Sequence, residues 1–232
     1  MTPEAAKEIF AQVGTFLTTG VATLLGAWVA FRLEQGRSER RDRDQQLAAA
    51  KETLFALVGQ YSIIRNLKDQ HFDAYRDDPI RFLSALPMPV YDPYPAIETA
   101  KVLFILESDD PDLLNHLYLA ERRFRSAMGL LAERNRLHVQ LQQELAVAPP
   151  TGEISVEEVR RRAGPALFGL LKTVTDGLYA AMESTLQQNR ATAERLQALM
   201  PRLFPGRKSM KVVVLPPQET PSAPSDVGPG AA

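Results

Sequence analysis

The sequence predicts an all-α chain: an N-terminal transmembrane helix that continues into a stalk, then an antiparallel cytoplasmic helical bundle, then a disordered C-terminal tail. Three observations carry this prediction. Residues 9 to 31 form an uncharged stretch of 23 positions between Glu8 and Arg32. No proline occurs between Pro3 and Pro79, so one helix can run through all of it. Beyond residue 47 apolar residues recur at helical spacing, with neither a hairpin nor strand–helix alternation.

The uncharged stretch is long enough to cross a bilayer. At 1.5 Å per residue it spans roughly 35 Å, against a hydrocarbon core of about 30 Å. A cleaved signal peptide fits less well. The preceding MTPEAAKE is not basic, and Trp28 stands where a small residue is needed before Ala30. Within the stretch Gly14, Thr18, Ala22, Gly26 and Ala30 recur every four residues, which places them on one side of a helix. Such small rows let two membrane helices approach closely, so these five predict a self-association seam and a homo-oligomer. The plainer reading is that Gly, Ala and Thr are ordinary membrane-span residues.

Orientation follows from Lys and Arg near the ends. Lys7 stands alone on the N-terminal side, whereas Arg32, Arg37, Arg40, Arg41 and Arg43 follow the stretch. The positive-inside rule counts these and largely ignores acidic neighbours. It predicts residues 1–8 outside, the span at 9–31, and everything after it in the cytoplasm of a bacterial inner membrane. Trp28 and Phe31 then fall at the cytoplasmic headgroup level, where aromatic anchors are favoured.

Residues 32–46 lack an apolar stripe and read as a solvated stalk. From there Leu47, Ala50, Leu54, Leu57, Tyr61, Ile64, Lys68 and His71 form a heptad-like row. It suits either the core of this chain's own domain or an intermolecular coiled coil. Gly36 and Gly59 weaken that helix. Residues 77–95 hold five prolines and read as an irregular crossing packed over the bundle, or as a partner-binding loop. A short apolar helix is expected at 96–106. Asp110 before Pro111 reads as a cap and first turn, opening a helix to about Ala146. Its core side holds Leu113, Leu117, Phe124, Leu131, Leu137, Leu141 and Leu145, and its outer side Arg122, Arg123, Arg125, Arg134 and Arg136. Ser155 and Glu158 form a capping box before the last helix, which Gly164–Pro165 should split and which should run to about Met200, ended by Pro201 and Pro205. The bundle is thus expected over 47–204. Residues 211–215 have the composition of a short strand. From 205 on the chain reads mostly as disordered tail.

The chemistry is sparse. Cysteine is absent, which removes disulfides and thiolate sites, and the three histidines, His71, His116 and His138, lack metal-ligand spacing. No phosphate-loop, dinucleotide, zinc-protease or nucleophile-elbow motif occurs. No metal, cofactor or catalytic constellation is expected. A net charge of -1 gives no general nucleic-acid character. Acidic residues crowd 69–112 and basic ones follow, which reads as complementary faces of one domain or as an acidic docking surface.

Two resemblances add to this. Arg65-Asn66-Leu67-Lys68-Asp69-Gln70-His71 resembles the Arg-Asn-x4-His signature of HEPN-type ribonucleases. That resemblance implies a phosphate held by Arg65 and acid–base cleavage by His71, in a toxin or phage-defence role. The plainer reading puts both residues on the polar side of a bundle helix. The whole order, from uncharged span and Arg-rich stalk through YSIIRNLKDQHF and the Pro-rich loop to LESDDPDLLNHLYLAERRFRSAMGLLAERNRLH, resembles small single-span bacterial inner-membrane proteins of unassigned function. It implies a structural or interaction protein with the bilayer, itself and a cytoplasmic protein as partners.

Overall fold

The computed structural model describes the backbone over residues 3–88, 94–146 and 155–207, and side chains from Ala27 onward except Val29. All its regular structure is helical: α1 (Pro3–Leu67), α2 (Arg81–Ser84), α3 (Leu113–Ala146), α4 (Val156–Ala163) and α5 (Pro165–Leu203). A π-helical turn, Lys68–Phe72, and short 3-10 pieces at Asp73–Tyr75 and Thr99–Glu107 complete it. Among the described residues no helix is long and apolar enough to cross a membrane. The uncharged stretch lies on α1, but of its side chains only Ala27, Trp28, Ala30 and Phe31 are described. The other side chains of that expected span, and residues 211–215 altogether, lie outside the described residues.

One helix, α1, has two kinds of surface. The described residues from Ala27 to Gln45 are exposed, with only Gly36 half-buried. From Leu47 the same helix acquires a buried stripe: Ala50, Leu54, Leu57, Tyr61 and Ile64. The change follows the sequence, because 32–46 has charge on every side and 47–64 has apolar residues at i, i+3, i+4 and i+7. The heptad-like row is therefore the domain's own core, which corrects the coiled-coil expectation. Leu54 and Tyr61 face inward and are unavailable to a partner helix, while Lys68 and His71 have left the stripe.

Helix α5 packs against both α1 and α3, and the segment between α1 and α3 fills the remaining side. Three apolar clusters stack along the bundle. The first joins Leu54 and Leu57 to Leu113, Leu117, Leu196 and Leu199. The second joins Ile64 and Phe72 to Phe124, Leu131, Leu178 and Met182. The third holds Phe82, Leu137, Leu141, Val159 and Leu171.

Local chemistry sets the breaks between helices. Ser155 Oγ accepts from Glu158 N–H at 3.2 Å and starts α4. The return arm of that capping box is absent, since the Glu158 carboxylate pairs with Arg161 and Arg162. Gly164 at φ +80° separates α4 from α5, a conformation that glycine adopts without steric cost. One expectation is corrected. Asp110 does not cap α3: its carboxylate takes both guanidinium contacts of Arg195, the shorter at 2.5 Å, and α3 begins at Leu113. The end of α5 falls between the two prolines expected to end it: the helix runs to Leu203, with Pro201 inside its last turn and Pro205 beyond it. Gly59 has a packing reason, because Pro95 Cγ lies 3.0 Å from where a Cβ would be.

The Pro-rich crossing is tied down where it is described. Asn135 brackets Met88, donating to its carbonyl at 2.6 Å and accepting from its N–H at 3.3 Å. Tyr94 stacks edge-on against Phe124. The segment packs on its own bundle at both ends.

Candidate functional site

Two polar layers interrupt the apolar stack. In the first, Asn189 Nδ2 donates to Gln60 Oε1 at 3.2 Å, and Gln60 Nε2 donates to Glu121 Oε2 at 2.7 Å and to the Pro95 carbonyl at 2.8 Å. Glu121 also accepts from Ile97 N–H at 2.9 Å and from Arg125 at 2.5 Å. Gln60 and Asn189 are fully buried. This network joins α1, α3, α5 and the crossing segment at one level. Buried polar groups need partners, so each member fixes the register of the others.

The second layer centres on Arg134, which is fully buried rather than on the outer face of α3. Its guanidinium donates to the Ala85 and Leu86 carbonyls at the end of α2 and lies 5.5 Å from the centre of the Phe72 ring. Among the described residues no carboxylate pairs with it. It meets the negative end of α2 instead, where unpaired carbonyls favour a cation. Burial pushes the guanidinium below its ordinary pKa. One turn on, His138 is also buried, with Nδ1 unpartnered and a hydrogen bond to the Phe82 backbone. Burial, then the Arg134 charge, lower its pKa below 6.5.

A groove of about 870 Å³ lies between α1 and α5. Tyr61, Arg65, Lys68 and Asp69 line its α1 side, and Ala180, Ser184, Gln187, Ala191 and Glu194 its α5 side. Its charges are mutually paired: Arg65 with Asp69 at 3.3 Å, Arg76 with Glu183 at 3.1 Å and Arg190 with Glu194 at 2.9 Å. Pairs this exposed add little stability.

Arg65 thus lies in the groove and is engaged by Asp69, while His71 is exposed on the π-helical turn and is not among the groove's lining residues. No histidine is among the residues lining the groove. Arg32, Arg37, Arg40, Arg41 and Arg43 are all exposed on the stalk. Of the small row only Ala30 has a described side chain, and it is exposed. Among the described residues no group of three or more His, Asp and Glu is placed to hold a metal.

The acidic stretch is partly answered within the domain. Asp110 takes Arg195. Arg125, Arg161 and Arg162 pair within their own helices. Sequence reasoning missed Gln60, Asn189 and Arg134, although each stands on an apolar row, Gln60 three residues after Leu57 and Arg134 midway between Leu131 and Leu137. A polar residue in such a row was the available signal.

No protein-family model matches this chain, and neither a curated protein nor a solved structure matches it.

Proposed function

We propose that the chain is a single-pass inner-membrane protein with its N-terminus outside, whose cytoplasmic helical domain binds itself or another protein. The observation that carries this reading is where burial begins on α1. The domain closes its core from Leu47 onward, and the described residues from Ala27 to Gln45 stand exposed. The uncharged stretch precedes that exposed run on the same helix. A 23-residue uncharged helix in that position is accounted for by a bilayer. The exposed Trp28 and Phe31, with Arg32 5.4 Å from the Trp28 ring, have the character of an interfacial belt. The five stalk arginines set the orientation, and the Gly14–Thr18–Ala22–Gly26–Ala30 row pairs the spans.

The function is scaffolding rather than chemistry. Its polar groups are spent on holding helices in register, and the groove's charges are paired with one another. C-terminal fusions to two reporters test the topology. A cytoplasm-only fluorescent reporter should be active and an export-only phosphatase silent. The opposite pattern would overturn the orientation.

A further inference from the structure

The end of α5 folds back onto the stalk of α1. Helix α5 stops at Leu203, and Phe204 is buried just beyond it, edge-on to Phe104 with ring centres 6.1 Å apart. Gly206 then takes φ +78°, in the left-handed region that favours glycine. Arg207 N–H donates to the Phe204 carbonyl at 3.2 Å and closes the turn. The turn sets the Arg207 guanidinium on the Asp44 carboxylate of α1 at 2.5 Å. A pocket of about 330 Å³ lies between the two elements. Its apolar lining is Leu47, Leu203, Phe204 and Pro205, and its charged lining is Arg40, Arg43 and Arg207.

Every charge that lines this pocket is positive. Arg207 is answered by Asp44, but among the described residues no carboxylate pairs with Arg40 or Arg43. The groove between α1 and α5 differs, because its arginines are paired with its own carboxylates. Membrane orientation does not require the convergence either. Arg32, Arg37 and Arg41 supply the same kind of charge to the stalk and lie outside the pocket.

We propose that this pocket binds a phosphate ester with a small apolar substituent, the phosphate held by Arg40 and Arg43 and the substituent laid on the apolar lining. Cations gathered at one concavity repel one another until an anion joins them. Arg40 and Arg43 stand three residues apart, so they are neighbours on one helix face. Their planar forks match phosphate oxygens bidentately, which a point charge cannot do. The apolar lining favours an ester over inorganic phosphate, which would leave that surface in water. The volume is at the small end for a ligand site and suits a single ring or a short chain.

Such a phosphate comes from a soluble ester or from a lipid headgroup. The site itself needs no membrane, and only the choice of source rests on the single-pass reading. Along a straight α1, Arg40 stands roughly 14 Å beyond Phe31, whereas headgroups extend about 5–7 Å beyond the hydrocarbon core. A soluble ester is the expected source.

The full chain in a neutral maltoside detergent is titrated calorimetrically with phenyl phosphate. The titration is the same whether the chain is recovered from membranes or from the soluble fraction, so its failure is distinct from failure of the membrane reading. The expected result is saturable binding that weakens by about tenfold or more in Arg40→Gln/Arg43→Gln. Inorganic phosphate should bind several-fold more weakly, and phenol not at all. Arg122→Gln/Arg160→Gln removes the same charge from two exposed arginines elsewhere and should bind as the unaltered chain does. Both pairs are exposed, so neither double variant should shift the unfolding midpoint. Adding phosphatidylglycerol or phosphatidylcholine to the micelles separates the sources. Phenyl phosphate binding that survives both lipids sustains the soluble ester. Displacement by phosphatidylglycerol alone, down to the level of Arg40→Gln/Arg43→Gln, keeps the phosphate site and overturns the soluble source. No binding of phenyl phosphate, or an equal loss in the two double variants, would overturn the pocket as a phosphate site.

Discussion

The two halves of α1 are built from the same backbone and differ in what surrounds them. The half ending near Gln45 shows its described side chains to solvent, whereas the half from Leu47 to Leu67 supplies a wall of the core. The difference teaches that helix formation and burial are set separately. Long runs without proline keep the backbone helical, while the placement of apolar residues decides where the helix joins a domain. The described turns from Ala27 to Gln45 stand outside the core, and the proposed membrane reading concerns the uncharged residues on the same helix before them.

Substitutions sharpen the contrast. In the buried half Leu57→Ala should cost about 2–5 kcal/mol, the range for a large-to-small change in a packed core. Leu33→Ala in the exposed half should stay within about 0.5 kcal/mol. Denaturant unfolding of both variants checks this, and equal costs would break the distinction. Next in size, Arg134→Ala should cost about 2–4 kcal/mol, since it leaves a cavity and strips the Ala85 and Leu86 carbonyls of their donor. Exposed Arg136→Ala, two residues on, should cost well under 1 kcal/mol. Gln60→Ala should cost about 1–3 kcal/mol by leaving Glu121 and Asn189 short of partners. It should also loosen the crossing segment, which amide exchange at Ile97 would report.

A smaller effect comes from pH. His138 in the fold holds its proton less well than in the unfolded chain, whose pKa is near 6.5. Below that value the unfolded state takes up a proton that the folded state resists. The contribution is therefore fully present above about pH 6.5 and is lost as the pH falls. The unfolding midpoint should drop between pH 7 and 5, and the drop should be shallower in His138→Gln. A steeper drop in the variant would contradict the buried neutral imidazole. Smallest in stability is Gly26→Leu. It should leave insertion and unfolding unchanged yet lower dimer content in a membrane association assay, while Leu25→Ala, off the row, should matter less.

The helical class was legible because every long element repeats at helical spacing, and the Ser155 cap and the Gly164 break were readable from local chemistry. Three kinds of feature were not. The inward turn of Arg134 depends on α2 ending against α3, a tertiary event that arginine content alone does not signal. Asp110 looked like a cap because Asp-Pro starts many helices, but Arg195 lies 85 positions away in sequence and competes for the same carboxylate. The Arg65–His71 spacing matches a motif in the sequence, but the helix turns π-helical over Lys68–Phe72 and His71 is not among the residues lining the groove with Arg65, neither of which sequence periodicity shows.

The proposed function requires residues 9–31 of α1 to hold the chain in a bilayer while the rest folds beside it. Alkaline carbonate extraction of membranes from cells making the full chain tests this most directly. The account predicts that the chain stays in the pellet after the wash, and that replacing Leu17, Val21 and Leu24 together with Asp releases it still folded. Recovery of the unaltered chain in the supernatant would contradict it.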